Sequence, residues 1–193
     1  VTLHHGEYSP ETFSLTGDLR QLNEYLDDYF ETNVTLLCNT QNGFPDDTDA
    51  YGPTVSLYES YELVASWFPG LSADDILRRF RCNIILQNAP AFREDILLPA
   101  DEGGEKAFSI GDVQLLGINA CARCVVPSKD PVTGDIYPQF QKSFAELRKD
   151  SLPSWAPPGA FDHFYRFTVN TKIPFSEMGK VISVGDTSIF PES

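Results

Sequence analysis

The sequence is short of positive charge. Fourteen lysines and arginines stand against 28 aspartates and glutamates in 193 residues, a formal net charge of −14. Nucleic acids and anionic membrane surfaces both require a basic face, so neither is expected as a partner. Long apolar runs are also missing: none approaches the roughly 20 residues that a membrane-spanning helix needs. No signal-peptide pattern is visible, and a cytoplasmic location is expected. Methionine occurs once, at Met178, and the chain opens on Val1, so the native start is expected to lie upstream. Histidine is scarce, with His4, His5 and His163 set at no metal-ligand spacing from any cysteine pair. Any anionic ligand of so acidic a chain must find a local basic pocket, which makes the few arginines informative.

At 41% hydrophobic and 22% charged residues, the composition is that of an ordinary globular protein, and 193 residues suffice for one domain with a sizeable core. Fourteen prolines and thirteen glycines call for many turns and short strands. Leu19, Leu22, Leu26, Tyr29 and Phe30 share one helical face, which predicts a helix near 18–31. "NVTLLCN" (33–39) reads as a strand, and 40–53 as a turn-rich loop. Leu57, Tyr61, Val64 and Phe68 predict a second helix over 57–68, closed by Pro69 and Gly70. Ser72 and Asp75 form a capping box for a short helix, "ADDILRRF". "CNIILQ", "VQLLGINA", "CVV" and "YRFTVNTKI" follow as strands, with a short helix at "FAELRK". "SIGDVQLL" (109–116) and "SVGDTSIF" (183–190) each place a Gly-Asp turn before a strand, as the corners of a compact antiparallel sheet do. The fold class expected is β-rich α+β, a mainly antiparallel β-barrel flanked by helices.

Two regions carry chemistry. "CARCVVPSKDPVTG" (121–134) holds Cys121 and Cys124 around Arg123. A single C-x-x-C is half of a structural zinc site, a redox dithiol where the first cysteine opens a helix, or a pair of small strand residues. Cys38 and Cys82 read as small core residues on strands. The second region, "RRFRCN", is a basic cluster in an acidic chain. Arg78 and Arg79 read as a solvated pair, whereas Arg81 and Asn83, two apart in a strand, point to one face and suit a phosphate grip. A soft thiolate with a phosphate grip matches a metal held by a phosphorylated organic ligand.

These residues resemble the MOSC family (molybdenum cofactor sulfurase C-terminal domains), and within it the amidoxime-reducing molybdoenzymes and their bacterial relatives. The resemblance rests on an ordered series: "FRCNIIL", "FREDIL", "IGDVQLLGINACARC", "DPVTG", "LRK" and "GKVISVGD". It implies a MOSC domain over 1–193, with 1–16 as the end of an upstream segment. The implied cofactor is the molybdenum cofactor (molybdopterin), with Cys124 as catalytic residue and metal ligand. Arg81 and Asn83 would contact its phosphate, and Asp47, Thr48, Ser60, Arg123 and Tyr165 would complete the cofactor-binding set. The implied activity is that of an oxidoreductase, independent of pyridoxal phosphate. It would reduce a small-molecule N-hydroxylated substrate with electrons from a donor protein. A non-catalytic cofactor- or sulfur-carrying module and a metal-free β-barrel interaction domain are the alternatives. Unless a bend intervenes, strand alternation predicts that Cys121 and Cys124 point opposite ways, only Cys124 reaching the pocket and Cys121 packed or partly exposed as a small apolar residue.

Overall fold

A computed structural model describes residues 1–4, 9–37, 47, 49–101, 103–157 and 159–191. The chain forms two compact units, 1–42 and 43–193. The predicted Thr48, Cys38 and His5 lie outside the described residues.

In the first unit, β1 (Thr2–Leu3) pairs antiparallel with β2 (Glu11–Thr12). The predicted helix forms as α1 (Arg20–Phe30), with Asp18 accepting the Arg20 backbone N–H at 3.0 Å ahead of its first turn. The strand expected over 33–39 does not form across its described part. The N–H groups of Val34 and Leu36 donate instead to the α1 side chains of Asp27 and Asn23, so they are not available for a strand ladder.

The second unit is built on a six-stranded, barrel-like sheet. Its strands are β3 (Val55–Leu57), β4 (Ile84–Leu86), β5 (Lys106–Ile110), β6 (Val113–Ala122), β7 (Arg166–Lys172) and β8 (Ser188–Ile189), in the order β4-β3-β7-β6-β5-β8. Every pairing is antiparallel except β3–β4. That parallel pair needs a crossover, which α2 (Tyr58–Ser66) and α3 (Ala73–Phe80) supply. The expected β-rich α+β class is the observed one. One core lies on the sheet, around Val55, Leu57, Leu97, Leu115 and Val169. The other joins α2 and α3 to α4 (Phe140–Asp150) through Tyr61, Phe68, Phe80, Phe140, Phe144 and Phe167.

The two Gly-Asp turns meet in space. Gly111 and Asp112 form the two-residue turn between β5 and β6, with Gly111 at φ +55°. Its N–H donates to Thr187 O at 2.9 Å, and a Cβ there would lie 2.8 Å from the Asp186 carboxylate. The sequence echo is therefore one corner of the sheet, made from the middle and the C-terminal end of the unit.

The capping box of α3 is present: Ser72 Oγ accepts the Asp75 N–H at 3.2 Å, and Asp75 Oδ2 accepts the Ser72 N–H at 2.9 Å. Arg79 corrects the sequence reading. It is buried rather than solvated, because α3 packs its last turn on the 126–128 turn, where Arg79 donates to Pro127 O at 3.3 Å and pairs with Asp130 at 3.4 Å.

Candidate functional site

A cleft of about 1360 Å³ opens on the second unit. One end is lined by Arg81, Asn83 and Thr54, and one wall by Ile118, Asn119, Cys121 and Ala122 of β6. Arg166, Asn170 and Lys172 of β7 also line it.

Arg81 reaches this cleft by a route other than the one expected. It is not on a strand: α3 ends at Phe80, and Arg81 caps it in the left-handed conformation, φ +55°, with its N–H on Leu77 O at 2.9 Å. The reversal at Arg81, rather than strand alternation, brings it alongside Asn83. Asn83 is locked by the chain it faces: its Oδ1 accepts from the Thr54 N–H at 2.9 Å and the Thr54 hydroxyl at 3.0 Å. Its Nδ2 makes no hydrogen bond among the described residues, and Asn83 lines the cleft. The Arg81 guanidinium has no side-chain partner among the described residues. The other cleft cations are engaged: Arg166 grips Asp162 at 2.6 and 3.0 Å, and Lys172 pairs with Glu105 at 3.1 Å. The Arg166 fork, by its hydrogen bonds, pulls the Asp162 carboxyl down to about 2.

Asp47 lies in the lining and organises its own loop, accepting the Ala50 N–H at 2.8 Å. Its second oxygen takes the Asn170 amide at 3.2 Å, and that amide also donates to Asn119 Oδ1 at 3.0 Å. Asn119 and Asn170 are site residues that the sequence reading missed. Both are partly buried strand positions, and an asparagine in the otherwise largely apolar β6 is the signal that could have found Asn119; β7 is too polar to have singled out Asn170.

The cysteines exchange the places expected of them. Cys121 lines the cleft, whereas Cys124 is exposed, outside the lining, two residues beyond Ala122. The reason is a β-bulge. Val113, Leu115 and Gly117 face the core, but Ile118 is an extra residue between the pairs Gly117↔Thr171 and Asn119↔Asn170. After one inserted residue the faces swap. Ala120 turns to the core and Cys121 to the cleft. The strand then ends at Ala122, and the predicted "CVV" strand is instead the approach to a 3-10 turn at Val126–Ser128. A second bulge follows, where Cys121 opposes both Phe167 and Thr168 between the pairs Ala120↔Val169 and Ala122↔Arg166. Thr168 carries φ +73° and a buried hydroxyl with no partner among the described residues.

Arg123 links the two ends of this region. Its guanidinium donates to Cys121 Sγ at 3.0 Å and to the carbonyl of Phe80, and lies 5.2 Å over the Phe80 ring. Cys124 makes no hydrogen bond among the described residues.

No family model matches the chain. Over 96 residues, half of the chain, it is 27% identical to molybdenum cofactor sulfurase of Caenorhabditis elegans, of which the match covers 12%. Over 78 residues it is 31% identical to molybdenum cofactor sulfurase of Caenorhabditis briggsae, covering 40% of the chain and 10% of that protein. The matched part thus spans about a tenth of the length of these curated relatives.

Two predicted site residues stand behind the cleft rather than in it. Ser60 is fully buried on α2, donating to Glu94 Oε2 at 2.8 Å and accepting the Phe92 N–H at 2.7 Å. Ser56 donates to the other Glu94 oxygen at 2.7 Å. Burial, then the neighbouring Asp95 carboxylate, pushes the Glu94 carboxyl up to about 7. Beside it, Asp95 and Arg148 form a buried ion pair at 2.5 Å, and Arg148 lies 3.8 Å over the Phe92 ring. Tyr165 packs in the aromatic core, 8% exposed, its hydroxyl without a partner among the described residues. Burial drives that hydroxyl up to about 12.

The donor set fits a phosphorylated, sulfur-bound group. A guanidinium without a side-chain partner among the described residues and an amide mark one end of a cleft that also takes in the start of the C-x-R-C motif. No helix among the described residues is long and apolar enough to cross a membrane.

Proposed function

We propose that this chain is a molybdenum-cofactor-binding domain of the MOSC type, that residues 1–193 form one such domain, and that residues 1–16 are the end of an upstream segment. The reading rests on one observation above the others. A single cleft draws Arg81 and Asn83 from the end of α3, and Cys121 and Ala122 from the end of β6 where the C-x-R-C motif begins. The similarity to molybdenum cofactor sulfurases supports it from a separate direction.

Arg81 and Asn83 bind the cofactor phosphate through a charge-assisted fork and an amide. Asp47 borders the cleft from the loop before β3, and the resemblance assigns Thr48 to the same cofactor-binding set. Cys124, exposed beside the cleft and without a hydrogen bond among the described residues, is the metal-binding thiolate, while Cys121 is held by Arg123 on the cleft wall. Ser60 and Tyr165 support the wall from inside. When bound, the molybdenum centre supplies two-electron oxygen-atom transfer, here the reduction of N-hydroxylated substrates with electrons from a partner redox protein.

The test is metal and pterin content of the full chain made in a cofactor-producing host. The wild type should carry both. Cys124→Ser should lose molybdenum and keep part of the pterin, because a hard hydroxyl replaces a soft ligand while the phosphate contacts persist. Arg81→Ala should lose both. A wild type without molybdenum and pterin overturns the reading. The name of the relatives favours a second reading, a module that carries cofactor or sulfur without turnover. Molybdenum-loaded protein that fails to reduce an N-hydroxylated substrate would decide for it.

A further inference from the structure

We propose that Arg123 is a positioning residue, a clamp that fixes the Cys121 thiol and the C-x-R-C turn relative to the Arg81–Asn83 end of the cleft. This rests on the reading of the cleft as a phosphate-and-sulfur site, and the experiment below separates the two claims.

Four contacts converge on Arg123. One guanidinium nitrogen donates to Cys121 Sγ at 3.0 Å. Another donates to the carbonyl of Phe80, the last residue of α3 and the one that precedes Arg81. The guanidinium plane covers the Phe80 ring at 5.2 Å. The Arg123 backbone N–H donates to Tyr165 O at 3.1 Å, which holds the residue against the chain entering β7 after β6 has ended. A planar fork with several fixed donors can serve a sulfur and a carbonyl at once and stack on a ring, whereas an ammonium cannot do all three. The arrangement also answers a local need. The left-handed cap at Arg81 leaves carbonyls at the end of α3 without helical partners, and Arg123 satisfies one of them. The strand that bears the thiol is therefore tied to the helix end that bears the anion-binding arginine. Cys124, next in sequence, takes its position from the same clamp.

The experiment compares wild type, Arg123→Met, Arg123→Lys and Arg123→Gln, each in a Cys124→Ser background. It has two readouts. The first is the rate at which iodoacetamide alkylates Cys121, followed by peptide mass spectrometry so that Cys38 and Cys82 do not interfere. The second is affinity for inorganic phosphate by calorimetry. Loss of the cation that donates to the sulfur should lower the Cys121 alkylation rate about fivefold or more in Arg123→Met, because the thiolate is the reacting form and a neighbouring guanidinium favours it, the scale of one lost hydrogen bond. The phosphate dissociation constant should rise about tenfold as Arg81 loses its fixed neighbour. Arg123→Lys should restore neither value in full. Arg123→Gln, which can reach one partner but not both, supplies the comparison if the methionine variant does not fold.

A merely structural arginine would lower the melting temperature and leave both readouts within twofold of wild type in the folded protein. That result overturns the clamp. If alkylation responds but the wild type binds no phosphate, the clamp stands and the phosphate reading of the cleft fails. If phosphate binds and alkylation does not respond, the clamp fails and the proposed function survives.

Discussion

Replacing Thr168 by glycine should make this protein more stable. Thr168 is β-branched, sits at φ +73° inside β7, and buries a hydroxyl with no partner among the described residues. Left-handed backbone costs a residue with a Cβ about 1–2 kcal/mol, and an unsatisfied buried hydroxyl adds about 1–3 kcal/mol. Against this, glycine loses about 0.5–1 kcal/mol more in chain entropy on folding, and the missing Cβ and methyl together forfeit about 1.6 kcal/mol of burial. The balance favours Thr168→Gly by about 1 kcal/mol, which raises the melting temperature by about 2–4 °C in a chain of this size. Thr168→Val separates the contributions, since it keeps the strained, branched Cβ and removes only the hydroxyl. It should also gain, by about 1 kcal/mol. Calorimetric melting and urea titration of the three proteins measure both effects. A Thr168→Gly variant less stable than wild type by 1 kcal/mol or more would refute the reasoning, because the bulge conformation would then be no burden to a threonine.

Two further substitutions test the wall behind the cleft. Glu94 is buried and raised from 4.5 to about 7, so its contribution to stability is complete below about pH 4.5 and is lost as pH rises through about 7, up to about 3 kcal/mol. Glu94→Gln should flatten urea-derived stability between pH 5 and 9, and a variant as pH-dependent as wild type would refute the assignment. A Cβ on Gly117 would stand 2.0 Å from the Leu97 carbonyl oxygen, a backbone atom that cannot swing away. Gly117→Ala should therefore cost about 2–3 kcal/mol or more by overpacking, and an unchanged denaturation midpoint would sink that account.

What could be read from the sequence was whatever depends on neighbours in the chain. The α3 capping box and the two Gly-Asp turns are local patterns that appear where the pattern put them, and the helices α1 and α2 form close to their expected bounds, although Tyr29 and Phe30 are exposed and Leu57 belongs to β3. The failures have a common cause: a distant partner changes a local preference. Val34 and Leu36 have strand-like neighbours, but side chains of α1 take their N–H groups. Arg79 looks solvated until the 126–128 turn closes over it. Arg81, Asn83 and Asp47 line one cleft, although Arg81 arrives through a helix cap rather than a strand and Cys124 stands outside the lining. The cysteines could not be sorted, because Ile118 bulges only where β6 meets β7, and nothing in "GINAC" announces it.

That bulge gives β6 the property of a reading frame. Residues on either side of Ile118 belong to different frames, and the inserted residue is the shift between them. A single-codon deletion at this position would leave every other side chain in the sequence intact and still exchange the two surfaces of the strand beyond it, turning Cys121 inward and Ala120 outward. A lineage of such domains can therefore gain or lose a thiol in its cleft without ever mutating a cysteine. Two homologues with the same C-x-R-C spelling can present opposite faces of it.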